Sequence, residues 1–138
     1  MKVYLDTNVL LDFLDAQRPR HVDAVALIRY LIERDYQVVL SEDMLTTIYY
    51  IAKDKPRVLA FFQVMLEDWS IVSFGEAVIR AAIEHCQQAI TAIDFEDVLQ
   101  CLCAQAHRCD CLITNDAGFY RCGIAVYDSS SFLKQFNT

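Results

Sequence analysis

Short apolar runs alternate along the chain with longer amphipathic stretches. Residues 1–5, 36–40, 70–74, 111–114 and 124–128 are brief runs rich in β-branched, aromatic and aliphatic side chains, and predict strands. The intervening stretches predict helices over 7–16, 21–35, 42–53, 57–69, 76–89 and 95–107, with a helical turn near Phe119 and a short helix from Ser129. In the second of these, Val25, Ile28, Leu31 and Ile32 fall on one face. Pro19 breaks the first helix, Pro56 separates the third from the fourth, and Ser41 is a good N-cap for the third. Strands alternating with helices predict an α/β fold, a parallel β-sheet of four to five strands flanked by helices on both faces. Ligands of such folds collect beyond the carboxyl ends of the strands.

The chain has 138 residues, 55% of them hydrophobic, with 3 Gly and 2 Pro. That suits one domain over residues 1–138 and excludes a disordered or fibrous chain. No run of about 18 apolar residues and no cleavable leader is visible, so a soluble cytoplasmic protein with no membrane partner is expected. Six cysteines, Cys86, Cys101, Cys103, Cys109, Cys111 and Cys122, are then expected to remain reduced and to pack as small hydrophobes. A zinc knuckle is disfavoured, because Cys101 and Cys103 lie roughly 200° apart on a helix. Cys122, near the acidic edge, could be exposed and oxidisable. The net charge of −7 argues against generic nucleic-acid binding, so any such ligand needs local Arg and Lys and a bound cation.

Acidic residues mark the strand ends. Asp6 follows the first strand and Asp116 follows the strand at 111–114, so both fall at one carboxyl edge. Asp94 and Asp97 open the helix at 95–107 and share one side of it, with Phe95, Val98, Leu99, Leu102 and Ala106 directed to the core. Glu96 lies roughly 160° around from Asp94 and is expected in solvent. Carboxylates converging on one cleft raise each other's pKa, a conflict that Mg²⁺ or Mn²⁺ removes. Such a site can activate water and stabilise the departing oxygen of a phosphodiester. Thr7 and Asn8 can orient that ligand set or donate to a phosphate. Each acid also has a plainer reading: Asp6 as a helix cap, Asp94 and Asp97 as acids answering a helix dipole, Asp116 as a turn residue.

In their order, residues 5–14 (LDTNVLLDFL), 41–52 (SEDMLTTIYYIA) and 94–119 (DFEDVLQCLCAQAHRCDCLITNDAGF) resemble the PIN-domain family, including VapC-like toxins. The resemblance spans nearly the whole chain. It implies a metal-dependent endoribonuclease, the toxin of a type II toxin–antitoxin system, holding Mg²⁺ or Mn²⁺ on Asp6, Asp97 and Asp116 with Asp94 as neighbour. It implies that Thr7, Asn8, Ser41, Thr114 and Asn115 surround the cleft, that RNA is the substrate, and that an antitoxin protein and a second copy of the chain are partners. One position departs: Thr47 stands where many members carry Glu. Asp43, one helical turn earlier on the same face, is a conceivable substitute through water, or simply an acid answering the dipole. The departure keeps open a catalytically weak PIN-like domain that binds RNA or protein. A receiver or phosphotransfer enzyme with one reactive Asp is a third reading, which lacks the expected Asp-x-Asp-x-Thr pattern.

Other features are weaker. His21, His85 and His107 neighbour no acid of the set, and the tyrosines with Trp69 read as core or interface. Arg18 and Arg20, or Lys53, Lys55 and Arg57, could guide a phosphate backbone or simply face water. Residues 58–66 are apolar almost all round, which predicts burial against the core, a second copy or an antitoxin.

Overall fold

The computed structural model describes residues 1–137. Its strands are β1 (Lys2–Leu5), β2 (Gln37–Ser41), β3 (Ser70–Val72), β4 (Cys111–Ile113) and β5 (Ala125–Tyr127). Its helices are α1 (Thr7–Leu14), α2 (His21–Glu33), α3 (Asp43–Ile51), α4 (Lys55–Met65), α5 (Gly75–Gln88), α6 (Phe95–Ala106) and α7 (Ser129–Phe136). All strand pairs are parallel, in the order β3-β2-β1-β4-β5. The chain first steps outward from β1 to β3 and then returns across the sheet to β4, so the order reverses between β1 and β4. Right-handed crossovers place the helices of the two halves on opposite faces. One layer is continuous from α1 to α2, α3, α4 and α7, while α6 packs on β2 and β4 and carries α5 outside it.

Burial explains the element choices. Val3, Tyr4, Leu5, Val38, Val39, Leu40, Leu112 and Ile113 are at most 1% exposed, as expected for strands covered on both faces. Helix α7 is closed by an Asp128 capping box and places Phe132 among Tyr30, Tyr36, Tyr127 and Phe136.

Several expectations shift in the folded chain. The inner face of α2 is Ala24, Leu27, Ile28 and Leu31, while Ile32 lies outside. Pro56 is no breaker but sits in the first turn of α4, whose start is capped by Asp54, and a proline there gives up no helical hydrogen bond. The segment near Phe119 is a single turn, Phe119 N donating to Asp116 O. Helix α4 buries Val58 and Met65 but exposes Leu59 and Val64, so the apolar run is not enclosed by this chain alone.

The inner face of α6 is Val98, Gln100, Cys101, Cys103 and Ala104; Phe95 and Ala106 are exposed. Relative to the expected face the helix is rotated, which carries Glu96 toward the acids. On this face Gln100, a polar residue buried against β1 and β2, accepts hydrogen bonds from the Tyr4 and Ser41 hydroxyls and donates to Asp43.

The cysteines also depart from expectation. Cys101 of α6 and Cys122 of the β4–β5 connection form a disulfide. Compartment arguments cannot see that the fold brings these two Cα atoms to 6.2 Å, inside the span a disulfide bridges. Cys103, Cys109 and Cys111 are buried free thiols; burial pushes Cys109 up to about 11 and Cys111 up to about 12, which keeps them protonated and unreactive.

Candidate functional site

Asp6 follows β1 and Thr114 follows β4, so the two meet at the reversal of strand order, where open α/β sheets leave a crevice. The register pairs Leu5 with Ile113, and Asp6 N donates to Ile113 O at 2.9 Å. Asp6 Oδ1 accepts from Thr7 N at 2.8 Å. Its Oδ2 accepts from Thr114 Oγ1 at 2.9 Å and from Asn8 Nδ2 at 3.1 Å. Thr114 Oγ1 in turn accepts from Asn8 Nδ2 and from Asp116 N. Asp6 therefore caps α1 and is also clamped in one orientation by Asn8 and Thr114.

The other acids enter from α6 and the β4–β5 connection. Asp97 Oδ2 accepts from Tyr120 N at 3.0 Å, which joins the first turn of α6 to that connection. Asp116 Oδ1 accepts from Gly118 N at 2.9 Å, as the turn reading expects, and its second oxygen has no such bond. Asp94 caps α6 by accepting from Asp97 N at 3.0 Å.

The carboxylates act on one another. Asp6 is 7% exposed, and burial pushes its carboxyl up to about 6 against the hydrogen bonds of Thr114 and Thr7, with the charges of Asp97 and Glu96 adding to the rise. Asp97 is also raised, by burial first and by Asp94 and Asp116, against the Tyr120 amide. Glu96 is raised by burial and by Asp43, Asp94 and Asp97. The fold thus brings Asp6, Asp97, Asp116, Asp94 and Glu96 within electrostatic reach of one another. Glu96 is exposed, as expected, yet lies near enough to Asp43, Asp94 and Asp97 for their charges to act on it.

Not every residue expected at the cleft lines it. Ser41 is fully buried and its hydroxyl holds Asp43 and Gln100. Asn115 is half-buried at the wall of the adjoining cleft and tied to the interior: its Nδ2 donates to Asp12 at 2.8 Å and its Oδ1 accepts from Ser129 N and Oγ at 3.0 and 2.9 Å. Its backbone amide donates to Asn8 Oδ1 at 2.8 Å. Asn115→Ala should therefore cost about 2 kcal/mol in urea unfolding, since buried Asp12 keeps only its Arg18 ion pair at 2.6 Å. A loss below about 0.5 kcal/mol would contradict this role.

Asp12 and Gln100 are the supporting residues that sequence reasoning missed. Asp12 lies one turn beyond Asn8 and Gln100 three residues beyond Asp97, so helical spacing from a named acid or amide is the signal that finds them. Thr47 donates back to the Asp43 carbonyl at 3.2 Å and adds no acid, while the Asp43 carboxylate takes bonds from Ser41 and Gln100.

Among the described residues no group of three or more His, Cys, Asp or Glu side chains is already arranged to hold a metal ion. The available donors are nonetheless all oxygens, the chemistry of hard divalent cations, which keep several waters and need only one or two carboxylates beside a phosphate. The buried Thr7 Oγ1 has no hydrogen-bond partner among the described residues. An orphaned buried hydroxyl costs about 1–3 kcal/mol.

The fold agrees with the comparisons. Residues 2–118 match the family described as the PIN domain, and the chain belongs to that family. It is 32% identical over 139 residues to Ribonuclease VapC1 of Aquifex aeolicus (strain VF5), covering 99% of this chain and 96% of that protein. The fold is similar to that in VapBC2 from Rickettsia felis bound to a promoter DNA fragment, with TM-score 0.70, 18% identity and 93% and 98% of the two chains covered. It is also similar to FitAcB from Neisseria gonorrhoeae (TM-score 0.67, 21% identity, 93% and 98% covered). A third similar structure is VapC20 of Mycobacterium tuberculosis, a sarcin-ricin loop cleaving toxin (TM-score 0.66, 14% identity, 85% and 92% covered).

Proposed function

We propose that the protein is a metal-dependent endoribonuclease and the toxin of a toxin–antitoxin pair, acting in the cytoplasm. The observation that carries this reading is a buried Asp6, clamped by Asn8 and Thr114 at the β1–β4 crevice and raised by burial and then by the charges of Asp97 and Glu96, in a chain 32% identical to a ribonuclease. Carboxylates that raise each other are stabilised together by a cation, and Asp6, Asp97 and Asp116, with Asp94 beside them, are the residues that would hold Mg²⁺ or Mn²⁺. When bound, such an ion lowers the pKa of water and neutralises charge on a phosphodiester.

The chain's own groups supply orientation. Asn8 and Thr114 hold Oδ2 of Asp6, the Thr7 amide holds its Oδ1, and the Tyr120 amide fixes Asp97. Asp116 keeps a free oxygen. Attack by water on phosphorus with departure of the 3′ oxygen leaves a 5′-phosphate and a 3′-hydroxyl. Asp116→Asn should reduce cleavage of single-stranded RNA with Mn²⁺ at least a hundredfold and abolish stoichiometric Mn²⁺ binding in titration calorimetry. Undiminished cleavage by that variant refutes the assignment.

Thr47 favours one second reading, a PIN-like domain that binds RNA or a protein without cutting. Calorimetry decides it: the wild-type protein then shows RNA or protein binding and no saturable heat with Mn²⁺. The exposed apolar residues of α4, Leu59 and Val64, are the surface we assign to an antitoxin or a second copy of the chain. No helix among the described residues is long and apolar enough to cross a membrane.

A further inference from the structure

Beside the acids lies a polar cleft of about 260 Å³, whose wall includes Thr114, Asp116, Arg20, Arg121, Tyr127 and Asp128. Thr114 and Asp116 are common to this cleft and to the carboxylate cluster, so the two are continuous. Arg20 comes from the turn before α2 and Arg121 from the β4–β5 connection, a hundred residues apart in sequence.

The two guanidinium groups are held differently. Arg20 Nε reaches Asp23 and its Nη2 reaches Asp128, each at 3.3 Å, which fixes the plane of the group and leaves other N–H donors for a ligand. Asp128 is further spent on Ser131 N at 2.7 Å, and those bonds together hold its carboxyl below the usual range. Arg121 is exposed and enters no ion pair among the described residues. Asp128 is thus already paired, and the charge of Arg121 is uncompensated.

A chain of net charge −7 with its carboxylates gathered in one crevice repels a polyanion, so a nucleic-acid strand reaching those carboxylates needs local cations. The other basic residues do not supply them at this edge. Arg18 pairs with Asp12 and lines a separate pocket with Lys53 and Arg57, and Lys55 is spent on the carbonyls that end α3.

We propose that the cleft between Arg20 and Arg121 binds a non-scissile phosphodiester of the RNA strand, next to the linkage at the carboxylates. This rests on the ribonuclease reading and adds the direction in which the strand leaves the site. A neighbouring phosphate bridged by two guanidinium groups sets the register of the strand, and charge-assisted bonds of this kind are the stronger ones in protein–RNA contacts.

The test pairs protein variants with single-stranded RNAs that carry one neutral methylphosphonate linkage, moved stepwise along the strand. In the wild-type protein one linkage adjacent to the cut should lower kcat/KM about tenfold when neutralised. Arg121→Ala should lower kcat/KM of the all-phosphate RNA by a similar factor and show no further loss with that methylphosphonate. It should also reduce the slope of log affinity against log salt by about one. Arg80→Ala, on the exposed face of α5, should change neither. An adjacent linkage whose neutralisation costs as much in Arg121→Ala as in the wild type overturns the proposal, as does insensitivity of every adjacent linkage. Normal cleavage by Arg121→Ala with lost affinity for a protein partner overturns it in favour of a protein ligand. A wild-type protein that neither cuts nor binds RNA overturns the ribonuclease reading itself, an outcome distinct from the others.

Discussion

Asp6→Asn is expected to lower RNA cleavage on the order of 10³-fold while making the protein more stable at neutral pH. The activity loss follows from removing a carboxylate fixed at the centre of the crevice. The stability gain follows from its raised pKa. An unfolded aspartate releases its proton near 3.8, whereas Asp6 in the fold holds its proton to about 6. Between these values the unfolded state binds fewer protons than the folded one, so stability falls as pH rises through that window. The fall amounts to about 3 kcal/mol for a group this buried. Asn escapes it but loses part of the bonds from Asn8 and Thr114, which leaves a net gain of about 1–2 kcal/mol at pH 7. Urea unfolding at pH 4 and pH 7 checks this: the wild-type protein should be less stable at pH 7 relative to the variant than at pH 4. Added Mn²⁺ should then stabilise the wild type and not the variant. A variant less stable than wild type at pH 7 without metal would show that Asp6 is not penalised by its surroundings.

Loss of the Cys101–Cys122 disulfide is expected to cost about 3 kcal/mol, because it releases a closed loop of some twenty residues in the unfolded chain. For a chain of this size that lowers Tm by roughly 10 °C. Cys122→Ser is the variant of choice, since Cys122 is only half-buried and Cys101 sits in the core. The bridge joins α6, which carries Asp97, to the connection that carries Asp116 and Tyr120. Its loss should also loosen the hydrogen bond from Tyr120 N to Asp97 and weaken cleavage. An unchanged Tm after treatment with a dithiol reductant would show that the two thiols do not pair in solution.

Much of the architecture was legible in the chain. The alternation of strands and helices gave the parallel sheet, because strands covered on both faces must be apolar throughout. Asp6 and Asp116 were legible as edge residues because each directly follows such a strand. The acids on α6 were legible from their spacing at a helix start. Three features resisted. The inner face of α6 was misread because helical periodicity took Phe95 as an inner residue, whereas Gln100 is buried and Phe95 exposed. Ser41 read as a cleft residue because polar groups near a strand end look alike in sequence, whether they face a cleft or the interior. The disulfide was missed because distance between remote cysteines has no local signature.

Residue order by itself determined the element types, the parallel sheet and the set of acids at the strand ends, since these depend on patterns within about one helical turn or one strand. Tertiary structure alone decided which of those acids feel one another, which polar residues support them from inside, and that Arg20 and Arg121 face one cleft. Those outcomes depend on how packed elements rotate and approach, and burial of a single polar residue such as Gln100 is enough to change them.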